Sequence, residues 1–216
     1  MGEGPFSEVL KESTWPSHEE AADGRYITWL LGGRLSRDGY AEMLAQHYFA
    51  YAALETAARD LAGHPVAGAF VIPEIYRVPA LERDLEFLYG AAWRDRISPS
   101  KPTRTYVARI EQVAEWPGGY VAHHYTRYLG DMAGGQVIRR RMRETYGLER
   151  RGLESYVFDD VPSLPAFRKD YRARLDALPF DEAERRRVIR ETRLAYQLNI
   201  EIMDELARVT REHLVA

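Results

Sequence analysis

The chain has 216 residues, 45% hydrophobic and 29% charged, and a formal net charge of -3. This suits one sizeable globular domain, and a net negative chain lacks the positive field that bulk nucleic-acid binding requires. Six histidines and no cysteines exclude disulfides, zinc–cysteine sites, iron–sulfur clusters and thiolate chemistry, and fit a reducing compartment. The apolar periodicity is helical nearly throughout. A first helix is expected over 7–24, interrupted or kinked at Pro16. Ser36 is positioned to cap a long helix through residue 61, closed by Gly63 and Pro65. Shorter helices follow over 79–89, ending at Gly90, and over 103–116, stopped by Pro117-Gly118-Gly119. A long one over 120–146 stops at Gly147, and another spans 165–178. In the final helix Asp181 and Glu184 stand in a capping-box relation. Beyond them Val188, Thr192, Ala195, Asn199, Ile202, Leu206 and Val209 recur at three- and four-residue steps as one core-facing stripe. With no repeat or linker, the expectation is a single all-α domain over 1–216, with a flexible end at 1–6 and a frayed one at 210–216.

The N-terminus has no apolar signal core, and Phe6 breaks the myristoylation pattern. No run approaches the roughly 18 apolar residues of a membrane span. A cytoplasmic chain without a membrane anchor is expected.

The stretch HHYTRYLGDMAGGQ at 123–136 raises the main question, because Gly130, Gly134 and Gly135 fall within a helix. Each costs about 1 kcal/mol relative to alanine. Helical spacing puts Gly130 and Gly134 on one face, with Thr126 one turn before and Gly135 beside them. Two readings are open: a groove where something flat approaches the backbone, or close packing of another helix. Asp131 is either a surface partner of Arg127 or an acid at the rim of that groove, holding a water. Arg168 and Arg172, one turn apart, together with Lys11, form either a solvated face or a carboxylate-recognising cluster. The run Arg139, Arg140, Arg141 and Arg143 reads as a solvated face, with partner docking as the other use. His64 and His213 are expected to be solvated, whereas His18, His47, His123 and His124 lie on helices and can face the interior. HExxH, paired Glu-x-x-His, Gly-x-Ser-x-Gly, a P-loop and a dinucleotide fingerprint do not occur.

Taken together, these segments resemble heme oxygenase. VAHHYTRYLGDMAGGQ is similar to the family's distal-helix motif, LKESTWPSHEEA to its proximal-helix motif, and HYFAYAALE to its second-helix motif. FRKDYRARLDAL and VIRETRLAYQLNIEIMDEL resemble the last two helices, and the likeness is collinear from about residue 10 to residue 206. The resemblance implies a single-domain helical fold with heme b between a proximal helix and a kinked, glycine-rich distal helix. It makes His18 the axial ligand of the iron and lays Gly130, Gly134 and Gly135 against the porphyrin, with Thr126 alongside. Lys11, Tyr125, Arg168 and Arg172 would meet the propionates, with Tyr196 near the heme where Phe is common. Asp131 would anchor a distal water network that includes Tyr51, Arg127 and Asn199.

The implied reaction is O₂- and electron-dependent cleavage of heme, at once cofactor and substrate, to biliverdin, ferrous iron and carbon monoxide. It would serve iron acquisition or heme turnover in a soluble enzyme of bacterial type. The implied partners are heme and an electron donor, ferredoxin or an NAD(P)H-dependent reductase, with no nucleic acid. The chain would be a monomer or weak dimer. Alternatives are a heme carrier or sensor on the same scaffold, which has no need of Asp131, or a cofactor-free interaction protein, which has no need of His18. Where the family often has a carboxylate four residues after the ligand, this chain has Ala22. That leaves Glu19, Glu20, a backbone carbonyl or water to partner His18. Arg168 stands where Lys is usual, which keeps the charge and changes the geometry.

Overall fold

The computed structural model describes residues 4–215, apart from the side chain of His213. The loose-end expectations at 1–3 and 216, and the solvated His213, lie outside the described residues. The helices are α1 (Phe6–Ala22), α2 (Arg25–Leu31), α3 (Arg37–Asp60), α4 (Val78–Tyr89), α5 (Trp93–Arg96) and α6 (Lys101–Gln112). They are followed by α7 (Pro117–His124), a π-helical turn at Tyr125–Leu129, α8 (Gly130–Tyr146), α9 (Leu164–Asp176) and α10 (Glu182–Val209). Among the described residues no strand forms, and one antiparallel bridge joins Leu35 to Leu214. Beside it Val215 N donates to Arg34 O at 2.8 Å, and at the other end Phe6 is buried.

Side-chain caps start several of these helices. Ser36, Ser100, Ser163 and Asp181 each accept from the backbone N–H three residues on, which satisfies a donor the helix leaves free. Gly90 and Gly147 stop α4 and α8 at φ 86° and 65°, a region costly for other residues. Four expectations need correction. The first helix ends at Ala22 and a separate α2 begins after Gly24, while α1 runs on through Pro16. The helix expected over 103–116 begins at Lys101, where Ser100 caps it, and ends at Gln112. Pro117-Gly118-Gly119 does not stop a helix but opens α7, proline taking a first-turn position where its missing N–H costs nothing. The capping box is only half made, because the Glu184 carboxylate accepts from Trp116 Nε1 instead of turning back to Asp181.

Helix α10 is the spine, packed against α1, α2, α3, α6 and α7. Its expected stripe is buried at Val188, Thr192, Ala195, Ile202 and Leu206 and half-buried at Asn199. Val209 departs from it at 44% exposed, in the last turn of the helix. A buried polar cluster fixes the segment after α8. The Asp84 carboxylate accepts from Glu154 N (2.9 Å) and Ser155 N (2.8 Å). Arg77 donates to Ser155 O (3.3 Å) and Val157 O (2.6 Å). Between these anchors, the Tyr156 ring is held against α8.

Candidate active site

A narrow cleft of about 130 Å³ opens between α1 and the start of α8. Helix α1 contributes Lys11, Thr14, Trp15 and His18, and the opposite wall is Tyr125, Leu129, Gly130 and Ala133. Arg168 and Arg172 of α9 and Tyr196 of α10 close its side. Drug-sized pockets run to roughly 300–1,000 Å³, so a large flat ligand enters only if the two walls part. A larger groove of about 560 Å³ between α3 and α6 is rich in alanine and carries no histidine. Volume alone would favour it, but the convergent polar chemistry lies in the smaller cleft.

The three glycines separate by role. A Cβ built on Gly130 or Gly134 meets nothing within 4 Å, whereas one on Gly135 would stand 2.9 Å from Tyr156 Cδ1. Gly130 lines the cleft, and Gly134, one turn on, is exposed. Gly135 lies about 140° around the helix from Gly130 at 3.6 residues per turn, so it faces inward against Tyr156 and not into the cleft. The glycines thus differ: Gly130 and Gly134 leave open space, while Gly135 packs closely, against the Tyr156 ring and not against another α-helix. Thr126 also departs from expectation: its hydroxyl donates back to Ala122 O at 2.9 Å, inside the helix and away from the cleft.

The π-helical turn rearranges the polar residues. Bonds that span five residues in place of four shift the register, so Arg127 and Asp131 do not form a surface pair, one of the two readings open for them. Arg127 is buried, with its guanidinium over the Tyr51 ring at 4.9 Å and its Nη1 donating to Asn199 Oδ1 at 2.9 Å. Tyr51 donates to Asp131 Oδ2 at 2.5 Å. Tyr51, Arg127, Asp131 and Asn199 thus form one connected set behind the cleft. Burial raises the Asp131 carboxyl above its ordinary range, against the opposing pull of Arg127 and the Tyr51 hydrogen bond. Arg127 Nε and Nη2, Tyr106 OH, Tyr156 OH and His47 Nε2 are buried without a protein partner. Buried polar atoms are rarely left unpaired, so internal water is the partner expected for these groups.

On the α1 side, His18 Nδ1 is buried, and no group among the described residues accepts from it; Glu19 and Glu20 do not fill the place of the missing carboxylate. Tyr196 stands edge-on to the imidazole at 6.1 Å. Arg168 Nη1 donates to Met132 O at 3.3 Å, which ties α9 to the glycine segment. Lys11 Nζ lies 5.6 Å over the Trp15 ring. Sequence reasoning missed Trp15, although its position one turn before His18 was a readable signal; Tyr106 and Tyr156 carried no such signal.

His64, His123 and His124 have structural roles. His123 Nε2 meets Glu191 at 3.0 Å, and Arg109 grips the same carboxylate through two nitrogens. Burial would raise Glu191, but the bonds from His123 and Arg109 outweigh it and hold the carboxyl down at about 2. His124 is buried against Tyr171 OH at 2.8 Å, and burial lowers it to about 3. His64 is not a solvated bystander, since its Nδ1 accepts from Val66 N and Ala67 N and shapes a turn. In the basic run, Arg141 donates to Leu31 O, while Arg139, Arg140 and Arg143 line an open basin with Glu144 and Glu149.

An all-α chain with an imidazole on one wall of a cleft, a glycine on the facing wall and a cationic rim has the features of a porphyrin-binding protein. A family model described as heme oxygenase matches residues 4–205. Heme oxygenase 1 of the cyanobacterium Synechocystis is 34% identical over 198 residues, covering 91% of this chain and 82% of the relative. Heme oxygenase 1 of Gallus gallus is 37% identical, over 94% of this chain and 70% of its own length. The crystal structure of the Synechocystis enzyme in complex with heme superposes with a TM-score of 0.92 at 32% identity, over 97% of this chain and 95% of that one. That of heme oxygenase from Leptospira interrogans does so at 0.89 and 31% identity, over 94% and 100%. The chain belongs to the heme oxygenase family, enzymes that degrade heme. Among the described residues, no helix is long and apolar enough to cross a membrane.

Proposed function

We propose that this cleft binds heme and that the residues around it direct its O₂- and electron-dependent cleavage to biliverdin, ferrous iron and carbon monoxide. The observation that carries the reading is His18 in one wall of the cleft and Gly130 in the other, with no side chain between Gly130 and a flat ligand. Bound heme supplies the redox-active iron and is also the molecule consumed. His18 would ligate the iron. Lys11, Arg168 and Arg172 carry the charges to pair with two propionate carboxylates, and the Tyr125 hydroxyl is a further donor. Gly130 and Gly134 let backbone approach the macrocycle and exclude water from its face. Asp131, accepting from Tyr51 and facing a group of unpartnered N–H and O–H donors, holds a proton source on that side only. A carrier or sensor would need the imidazole and the cations but not this set. Electrons would come from a separate protein of the ferredoxin or NAD(P)H-reductase kind.

The test is to load the purified chain with hemin, supply an electron donor, and follow the Soret band and the product by absorption and mass spectrometry. Loss of the Soret band with appearance of biliverdin is expected. Stable ferrous heme with no cleavage product would overturn the reading in favour of a carrier.

A further inference from the structure

A ligating histidine is ordinarily oriented by an acceptor on its second ring nitrogen. Among the described residues His18 has none: Nδ1 is buried without a partner, and Ala22, one turn on, offers no side-chain oxygen. The ring is clamped through its faces instead. The Trp15 indole lies on the imidazole with centroids 4.8 Å apart and planes within 17° of parallel. Tyr196 meets the imidazole edge-on, at 85°. Lys11 Nζ stands over the indole, so ammonium, indole and imidazole lie along one side of α1 at successive turns. The turn that carries Trp15 is itself fixed from α10, where Arg193 donates to Ser13 O through Nε (3.0 Å) and Nη2 (2.8 Å). Trp15 is 44% exposed, more than simple burial of an indole would leave, while its contact with His18 is retained.

We propose that Trp15 is the positioning residue of the axial imidazole: stacking on His18 sets the rotation of the ring about its bond to iron, in place of an acceptor on Nδ1. The proposal rests on His18 being the ligand. Stacking restrains the plane of the ring without pulling on the Nδ1 proton, so it orients the imidazole without making it a stronger donor. Trp15 then controls the in-plane asymmetry that the ligand imposes on heme.

Two measurements on the full chain test this. In the heme-free protein, the His18 ring protons, assigned by their loss in His18→Ala, should be shifted upfield by the indole ring current and should return downfield in Trp15→Leu. In the cyanide complex of the hemin-loaded protein, the spread and order of the heme methyl proton resonances report the imidazole plane. Trp15→Phe, which keeps a stacking ring, should preserve the wild-type methyl pattern, and Trp15→Leu should reorder or compress it. An unshifted His18 in the heme-free wild type, or an unchanged methyl pattern in Trp15→Leu, overturns the proposal. If His18→Ala keeps an axial imidazole on hemin while the ring-current shift is present in the wild type, then the ligand assignment has failed although the stack is real. Because the first measurement needs no heme, it tests the stack even in a Leu variant that binds hemin poorly.

Discussion

Replacing Gly130 and Gly135 by alanine, one at a time, separates the two reasons a helix carries glycine. Gly130 has φ -58° and ψ -50°, which alanine adopts without adjustment, and a Cβ there meets nothing within 4 Å. Gly130→Ala should therefore stabilise the heme-free protein by up to about 1 kcal/mol, or roughly 2–4 °C in Tm at this chain length. The same methyl stands in the cleft, against the face that a porphyrin would occupy. An overpacking cost of about 1–3 kcal/mol weakens hemin binding roughly 5- to 150-fold. At Gly135 the signs reverse. The new methyl sits 2.9 Å and 3.3 Å from two atoms of the Tyr156 ring, which is buried and backed by the Asp84 and Arg77 anchors. Overpacking then offsets or exceeds the helical gain, for a net loss of up to about 2 kcal/mol, with hemin affinity near wild type. Urea and thermal unfolding of the heme-free variants, followed by Soret titration with hemin, measure both quantities. If Gly130→Ala is destabilised in the heme-free state, or binds hemin as tightly as the wild type, Gly130 is a packing residue and the groove argument is wrong.

Asp131→Asn should still bind hemin but form biliverdin at least about tenfold more slowly, as expected of a lost proton-handling carboxyl; wild-type turnover in a single-turnover assay would remove Asp131 from that role. Glu191 titrates at about 2 in the fold against about 4.5 unfolded, so its contribution of up to about 3 kcal/mol is present above pH 4.5 and lost as the pH falls toward 2. Urea midpoints at pH 5 and pH 3 should differ less in Glu191→Gln than in the wild type. Asp84 has the opposite sign: burial raises it to about 6, so the fold prefers its protonated form. It should cost stability, up to about 3 kcal/mol, as the pH rises from about 4 to about 6. Asp84→Asn should flatten stability across that window, and an unaltered slope would show that the carboxyl titrates normally.

The long helices were readable because their signals are local. Ser36 and Asp181 cap the starts of α3 and α10, Gly90 and Gly147 end α4 and α8, and the stripe on α10 repeats at helical spacing. The features that could not be read depend on distant residues. Trp116 turns away from helix to reach Glu184, which ends α6 early and leaves the capping box half made. In the cleft, His18, Lys11, Arg168, Arg172, Tyr125, Tyr196 and Gly130 come together as the family motifs imply. Arg127 meets Asn199 and Tyr51, as the resemblance implies. Thr126 and Gly135 fall outside the cleft for a common reason: each was assigned a face by counting 3.6 residues per turn or by motif, and near the π-helical turn the face depends on what is packed behind, which is Tyr156 for Gly135.

The polar groups of the site are divided between its two sides, and the division bears on the chemistry. Around His18 there is an imidazole without an acceptor among the described residues, flanked by Trp15 and Tyr196. Behind Gly130, a carboxyl raised by burial sits with a tyrosine hydroxyl and an arginine that has unpaired N–H groups. Leaving such donors unmet in a dry core costs about 1–3 kcal/mol each, so ordered water there is cheaper than none. The π-helical turn is what makes this compatible with an open helix face. By rotating Arg127 inward to Asn199 and Tyr51, it keeps the large cation out of the cleft, while Asp131 follows directly after Gly130. A regular helix would place Arg127 one turn from Asp131 on the same face and give the acid a fixed counter-ion in place of water. The open space at Gly130 and the buried set around Asp131 thus have a common origin in one irregular turn.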